Sequence, residues 1–110
     1  MSDPATADIM GLRMDCRAAC SAALARLGIT VAPDAFDGNA DVWESVTEPQ
    51  RGDVILSRPD GRLHVTLVLN SRPGHGLVMS SDAHRGVHVM TLSRALADRI
   101  GIYRYRGLPT

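Results

Sequence analysis

An α+β domain is predicted, with one N-terminal helix packed on an antiparallel sheet of about five strands. Three observations carry this. Residues 15–29 are rich in alanine and leucine and lie between a capping aspartate and a glycine. From Pro49 the pattern changes to period two and to β formers. Turns rich in proline and glycine separate the runs that follow.

The helix is the organising element. Asp15 is a good N-cap, because its carboxylate can accept from an unpaired backbone N–H. Alanine and leucine favour the helix, and Gly28 stands where a C′ glycine ends one. Cys16 then lies at the positive end of the helix dipole, which favours the thiolate, the nucleophilic form of cysteine. The plainer reading is a small buried residue.

Residues 1–9 read as a flexible or short helical lead-in, with Ile9, Met10, Leu12 and Met14 packing beneath the helix. Residues 30–40 have the punctuation of a loop, and 41–46 form a short turn or strand. Trp43 reads as a core or lid residue. Strands are expected at 53–57, 63–69, 77–81 and 87–92. Arg58-Pro59-Asp60-Gly61 and 71–76 make the first two turns between them. A short helix over 93–99, capped by Ser93, and a last strand over 100–106 complete the meander.

The chain is long enough for one domain and one modest core. Twelve basic and twelve acidic residues balance, so the usual electrostatic footprint of a nucleic-acid binder is missing. Every basic residue is arginine, scattered rather than in runs, which reads as coding bias. No signal peptide or membrane span is visible. No cofactor is called for. Cys16 and Cys20 lie four apart on one helix face, where a disulfide would strain the helix, so both are expected as free thiols. A zinc site from Cys16, Cys20 and His64 is the least favoured reading, since C-x-x-x-C is a poor zinc signature.

A cysteine nucleophile needs a base, and the base a polar orienter. Four histidines compete. His75 lies in a Pro-Gly turn, His84 in an exposed connection, and His88 inside an apolar strand as a packed or surface residue. His64 differs, because it opens the most hydrophobic strand directly after a turn. Val65, Leu67 and Leu69 would face the core. His64, Thr66 and Val68 would share the other face, the one a cysteine helix could cover.

Together these residues resemble the NlpC-type cell-wall cysteine peptidases of the papain-like superfamily. Asp15-Cys16 and the helix ending in Leu27-Gly28-Ile29 resemble the family's Asp-Cys-Ser-Gly nucleophile helix. Arg51-Gly52-Asp53-Val54-Ile55-Leu56 resembles its Pro-Gly-Asp-Leu strand. His64-Val65-Thr66-Leu67-Val68-Leu69 resembles its His-Val-Gly-Ile-Tyr-Leu strand. Gly86-Val87 and Tyr103-Arg104-Tyr105-Arg106 resemble its final strands. The likeness covers residues 10–107. It implies Cys16 as nucleophile, His64 as general base and a third residue ahead of the Gly-Val step. Counting back from Gly86 puts Ser80 there, and a hairpin centred near Arg72 also pairs His64 with Ser80. Asp82 is the alternative orienter, reached by a register slip of two, and His84 a distant third.

The resemblance further implies an amide bond of a peptidoglycan stem peptide as substrate, with no membrane or nucleic-acid partner. Without a signal peptide the product would be cytoplasmic as synthesised. It would then act there, ride on a phage tail or leave through a secretion machine. Arg17 reads first as a solvated helix arginine and second as a partner for a substrate carboxylate. Arg17-Ala18 replaces the family's Ser-Gly, and its upstream Tyr-x-Trp-Gly is absent. Those departures favour the alternative, a catalytically weak or inactive NlpC-like module for assembly or interaction. A lipid-modifying acyltransferase relative is the third reading.

Overall fold

A computed structural model describes residues 3–107; the first two residues of the lead-in lie outside that range. Helix α1 spans Cys16–Arg26. Asp15 caps it, its carboxylate accepting from the Arg17 N–H at 2.9 Å. It ends in a Schellman motif. The Gly28 N–H donates to the Ala25 carbonyl and the Ile29 N–H to that of Leu24, with Gly28 at φ 82°. The helix buries Ala19, Cys20, Ala23 and Leu24. Small residues on that face let it sit close to the sheet, and burying Leu24 contributes about 2 kcal/mol.

The sheet has six antiparallel strands. They are β1 (Trp43–Val46), β2 (Val54–Ser57), β3 (His64–Asn70), β4 (Leu77–Asp82), β5 (Gly86–Thr91) and β6 (Arg99–Tyr105). Their spatial order is β1-β6-β2-β3-β4-β5. The expected run of about five neighbouring strands is therefore corrected in two ways. Residues 43–46 form a true strand, and β6 returns to lie between β1 and β2. Side chains explain the return. Arg104 on β6 forks onto Asp53 at 2.8 and 2.9 Å. Tyr105 stands opposite Trp43, their rings edge to face at 5.0 Å. Trp43 is a core residue, its indole N–H donating to the Ala35 carbonyl at 2.9 Å.

The two faces are also reversed from expectation. Helix α1 covers Val65, Leu67, Leu69 and Met79. The face of Thr66 and Val68 is closed instead by helix α2 (Leu92–Ala97), which packs Ala95, Leu92 and Leu96 on Ile55, Val68, Val78 and Ile102. Thr91, not Ser93, caps α2, accepting from the Arg94 N–H at 3.4 Å. The helix starts as soon as β5 ends, because the Leu92 N–H is bound to the Gly76 carbonyl.

Of the lead-in residues, Ile9 is buried and Met14 partly so, but Met10 and Leu12 are 39% and 51% exposed. Residues 11 and 12 pair by backbone with Val87 on the outer edge of β5, at 2.8 and 2.9 Å. This covers part of an otherwise open strand edge. Gly86 makes the approach possible. It sits at φ 65°, and a Cβ there would lie 2.7 Å from the carbonyl oxygens of both Gly11 and Leu12. Gly86→Ala should cost about 2 kcal/mol or more, since backbone rather than a flexible side chain must yield. Urea unfolding measures the loss, and limited proteolysis should find a new cut near residues 11–12.

Candidate active site

The N-terminus of α1, the cleft-side ends of β2, β3 and β4, and helix α2 border one open cleft of about 980 Å³. Cys16, His64, Ser80, Asp82 and His84 all line it. Cys16 is the first residue of α1 and half-buried. The segment before it is tied to the sheet, because the Ser81 hydroxyl donates to the Met14 carbonyl at 2.5 Å. Nothing in the alternation of strand 77–81 marks Ser81 for this task. The tie depends on where the chain before the helix crosses β4.

His64 opens β3, and its Nε2 lies 2.8 Å from the Ser80 Oγ. The contact was expected, but its geometry is different. The β3–β4 ladder pairs Leu67 with Met79 and Val68 with Val78. Continued toward the cleft, that register puts Asp82 opposite His64 and Ser80 opposite Thr66. His64 therefore reaches Ser80 diagonally across the ladder, not from a directly opposed position. The hairpin is two residues further along than a turn centred near Arg72 requires. A register shift between Val68 and Asn70 absorbs the longer turn.

Asp82 stands opposite His64 in register but is engaged elsewhere. It accepts from the N–H groups of His84 and Arg85 at 2.9 and 2.7 Å, and from the Arg85 guanidinium. The Arg85 backbone N–H is the largest influence holding its carboxyl down, to about 2. It therefore remains a carboxylate, acting on His64 through space and not as a ring partner. His84 lies on the rim in the exposed turn, and His75 lies in another exposed turn, away from this cleft. Arg17 is exposed and lies outside the lining.

Burial lowers the His64 pKa below its ordinary value, with the carboxylates of Asp82, Asp60 and Asp15 pulling weakly the other way. A lowered pKa keeps the ring neutral near pH 7, the form that can take a proton. The sign for stability follows. The unfolded chain binds this proton more readily, so His64 favours folding above about pH 6.5 and loses that contribution as pH falls below it. His64→Gln should flatten the slope of Tm between pH 5 and 7. An unchanged slope would assign the acid sensitivity to other groups.

Cys20 does not join the site. Its thiol is fully buried, points at the Val65 carbonyl at 3.7 Å, and has a pKa pushed well up by that burial. This removes it from any set with Cys16 and His64. Among the described residues no group of three or more His, Cys, Asp or Glu side chains is arranged to hold a metal ion. Among them, too, no helix is long and apolar enough to cross a membrane.

One neighbour of Ser80 was not placed there from the sequence. His88 pairs directly with Ser80 across β4 and β5. It is packed, as expected, with its side chain 15% exposed, and it stands beside the His64–Ser80 contact without lining the cleft. The short connection from Asp82 to Gly86 carries the signal, because folding it places residues 80 and 88 opposite one another. Thr66, 2% exposed, lies on the other side of Ser80, and among the described residues its hydroxyl has no hydrogen-bond partner. Searches of family models, curated proteins and solved structures return no match to this chain.

Proposed function

We propose that the chain is a cysteine peptidase or amidase of the NlpC type, hydrolysing an amide bond in peptidoglycan stem peptides. One observation carries the chemistry. A thiol at a capped helix start and an imidazole whose Nε2 is held by Ser80 line the same cleft. His64 Nδ1 is then the ring nitrogen open to the thiol, which would meet it around the cleft end of β3, because α1 packs on the other face of the sheet. The peptidoglycan substrate rests on the sequence resemblance alone.

In this reading the Cys16 proton passes to His64 Nδ1, and the sulfur attacks the amide carbonyl carbon. The backbone N–H of Cys16, at the helix start, helps hold the oxyanion. Collapse breaks the C–N bond, and His64 returns the proton to the leaving amine. Water, deprotonated by His64, then cleaves the thioester. Ser80 accepts from Nε2–H throughout and keeps the ring in its tautomer.

The test is incubation with purified muropeptides, followed by mass spectrometry. Cleavage at one amide, lost after iodoacetamide treatment, supports the reading; no cleavage, or cleavage that survives alkylation, ends it. A second reading has its own support. Among the described residues no tyrosine lines the cleft, and Tyr103 and Tyr105 pack instead against the main core. An inactive module with the same architecture would bind muropeptides or a protein partner without cutting.

A further inference from the structure

We propose that His88 is a positioning residue of this site: its Nε2 accepts a hydrogen bond from the Ser80 hydroxyl through one bridging water, and so fixes Ser80 as acceptor for His64. The inference rests on the Cys16–His64 reading above.

The His88 tautomer is set by its neighbour. Its Nδ1 lies 2.8 Å from the Gly86 carbonyl oxygen, which can only accept, so Nδ1 carries the hydrogen. The neutral ring then has its lone pair on Nε2. That atom is buried and has no hydrogen-bond partner among the described residues. A buried acceptor without a donor is costly, and each such atom asks for an explanation.

Ser80 presents the complementary deficit. If His64 takes a proton at Nδ1, its Nε2 carries a hydrogen and donates to the Ser80 Oγ. The Ser80 hydroxyl hydrogen must then point elsewhere, and Ser80 is only 3% exposed. Directly opposite Ser80 stands His88, with Cβ atoms about 5 Å apart in such a pair. A serine needing an acceptor and a ring nitrogen needing a donor therefore face each other across one ladder rung. One bridging water spans such a gap where polar atoms surround it. Thr66 flanks Ser80 on the other side, but a hydroxyl donates as readily as it accepts and imposes no direction. The His88 lone pair can only accept.

Asp82 Oδ2 is 3.9 Å from His88 Nε2 and is held by Arg85. His64 faces it across Ser80. From α2, which packs against β5, Arg94 and Asp98 line the same cleft. The result is a chain from the His64 N–H to the Ser80 O–H to His88 Nε2. Every proton in it stays in place while the Cys16 proton moves to His64 Nδ1.

The experiment is iodoacetamide alkylation of Cys16 from pH 5 to 9 in the full chain. Cys20 is buried and stays silent. His88→Phe removes the acceptor. It should slow alkylation at pH 6 about fivefold, the loss of one neutral hydrogen bond, and leave the pH 9 rate within about twofold, since a free thiolate needs no oriented base. His88→Gln, whose amide oxygen can replace the lone pair, should restore at least half of the loss. If His88→Phe matches wild type while His64→Ala loses its low-pH reactivity, His88 has no part and the Cys16–His64 pair stands. Equal slowing in His88→Phe and His88→Gln assigns His88 a packing role and overturns the proposal. If His64→Ala itself changes nothing, the pair and this inference fall together.

Imidazole nitrogen NMR gives a test that does not depend on His88 variants folding. His88 should be protonated at Nδ1, and its Nε2 resonance should move in Ser80→Ala. An Nε2-protonated ring, or no movement, overturns the proposal.

Discussion

If the proposed peptidase reading holds, Cys16→Ala should lower muropeptide cleavage by about 10⁴-fold or more, the scale of removing a nucleophile from a working set, and shift Tm by no more than a few degrees. The small stability cost follows from position. Cys16 is half-buried at the first turn of α1, and the cap is made by Asp15, not by the cysteine. Cys20→Ala is the internal contrast. Cys20 is wholly enclosed between α1 and β3, so its loss should lower Tm more and the turnover number little. Cleavage that persists in Cys16→Ala would locate the chemistry elsewhere, and the peptidase reading would end.

Arg104→Met unfolds the protein far more readily, by about 3–5 kcal/mol, because it strands a buried carboxylate. Asp53 is 1% exposed and accepts both arms of the Arg104 fork; the Gln50 N–H is its other donor. A loss of that size lowers Tm by roughly 15 °C or more in a domain of this length. The pair joins β2 to β6, and β1 is held to the sheet through β6. Hydrogen exchange should therefore rise first in β1 and β6, on the side of the sheet away from the cleft. The double variant Asp53→Leu with Arg104→Met leaves no stranded charge and should recover much of the loss. A single-variant Tm within about 3 °C of wild type would mean that water or another donor reaches the carboxylate.

Asp53 also illustrates how sequence and structure divide the work. Its place before Val54-Ile55-Leu56 marked the start of a strand, and β2 does begin there. Its partner fifty-one residues away was invisible, because no local pattern tells an arginine in an alternating strand which carboxylate it will meet. The same holds within the site. His64 and Ser80 were singled out together, and they touch, but from a register two residues away from the one inferred. A contact can survive such a slip only because a slip of two keeps every side chain on its face; a slip of one would have separated them.

Short-range chemistry was readable from the chain alone. The Asp15 cap, the Gly28 stop, the β-rich second half and the core-facing set Val65, Leu67 and Leu69 depend on neighbours a few residues apart. Caps and periodicity are physical at that range. Folding supplied four further facts: β6 lies between β1 and β2, α1 covers the face opposite the one inferred, the lead-in pairs with β5, and His88 stands beside Ser80. Each joins segments remote in sequence or depends on an exact ladder register. Those choices are made by the best joint burial of two apolar helix faces and by closure of one buried ion pair, quantities that exist only once the whole chain is assembled.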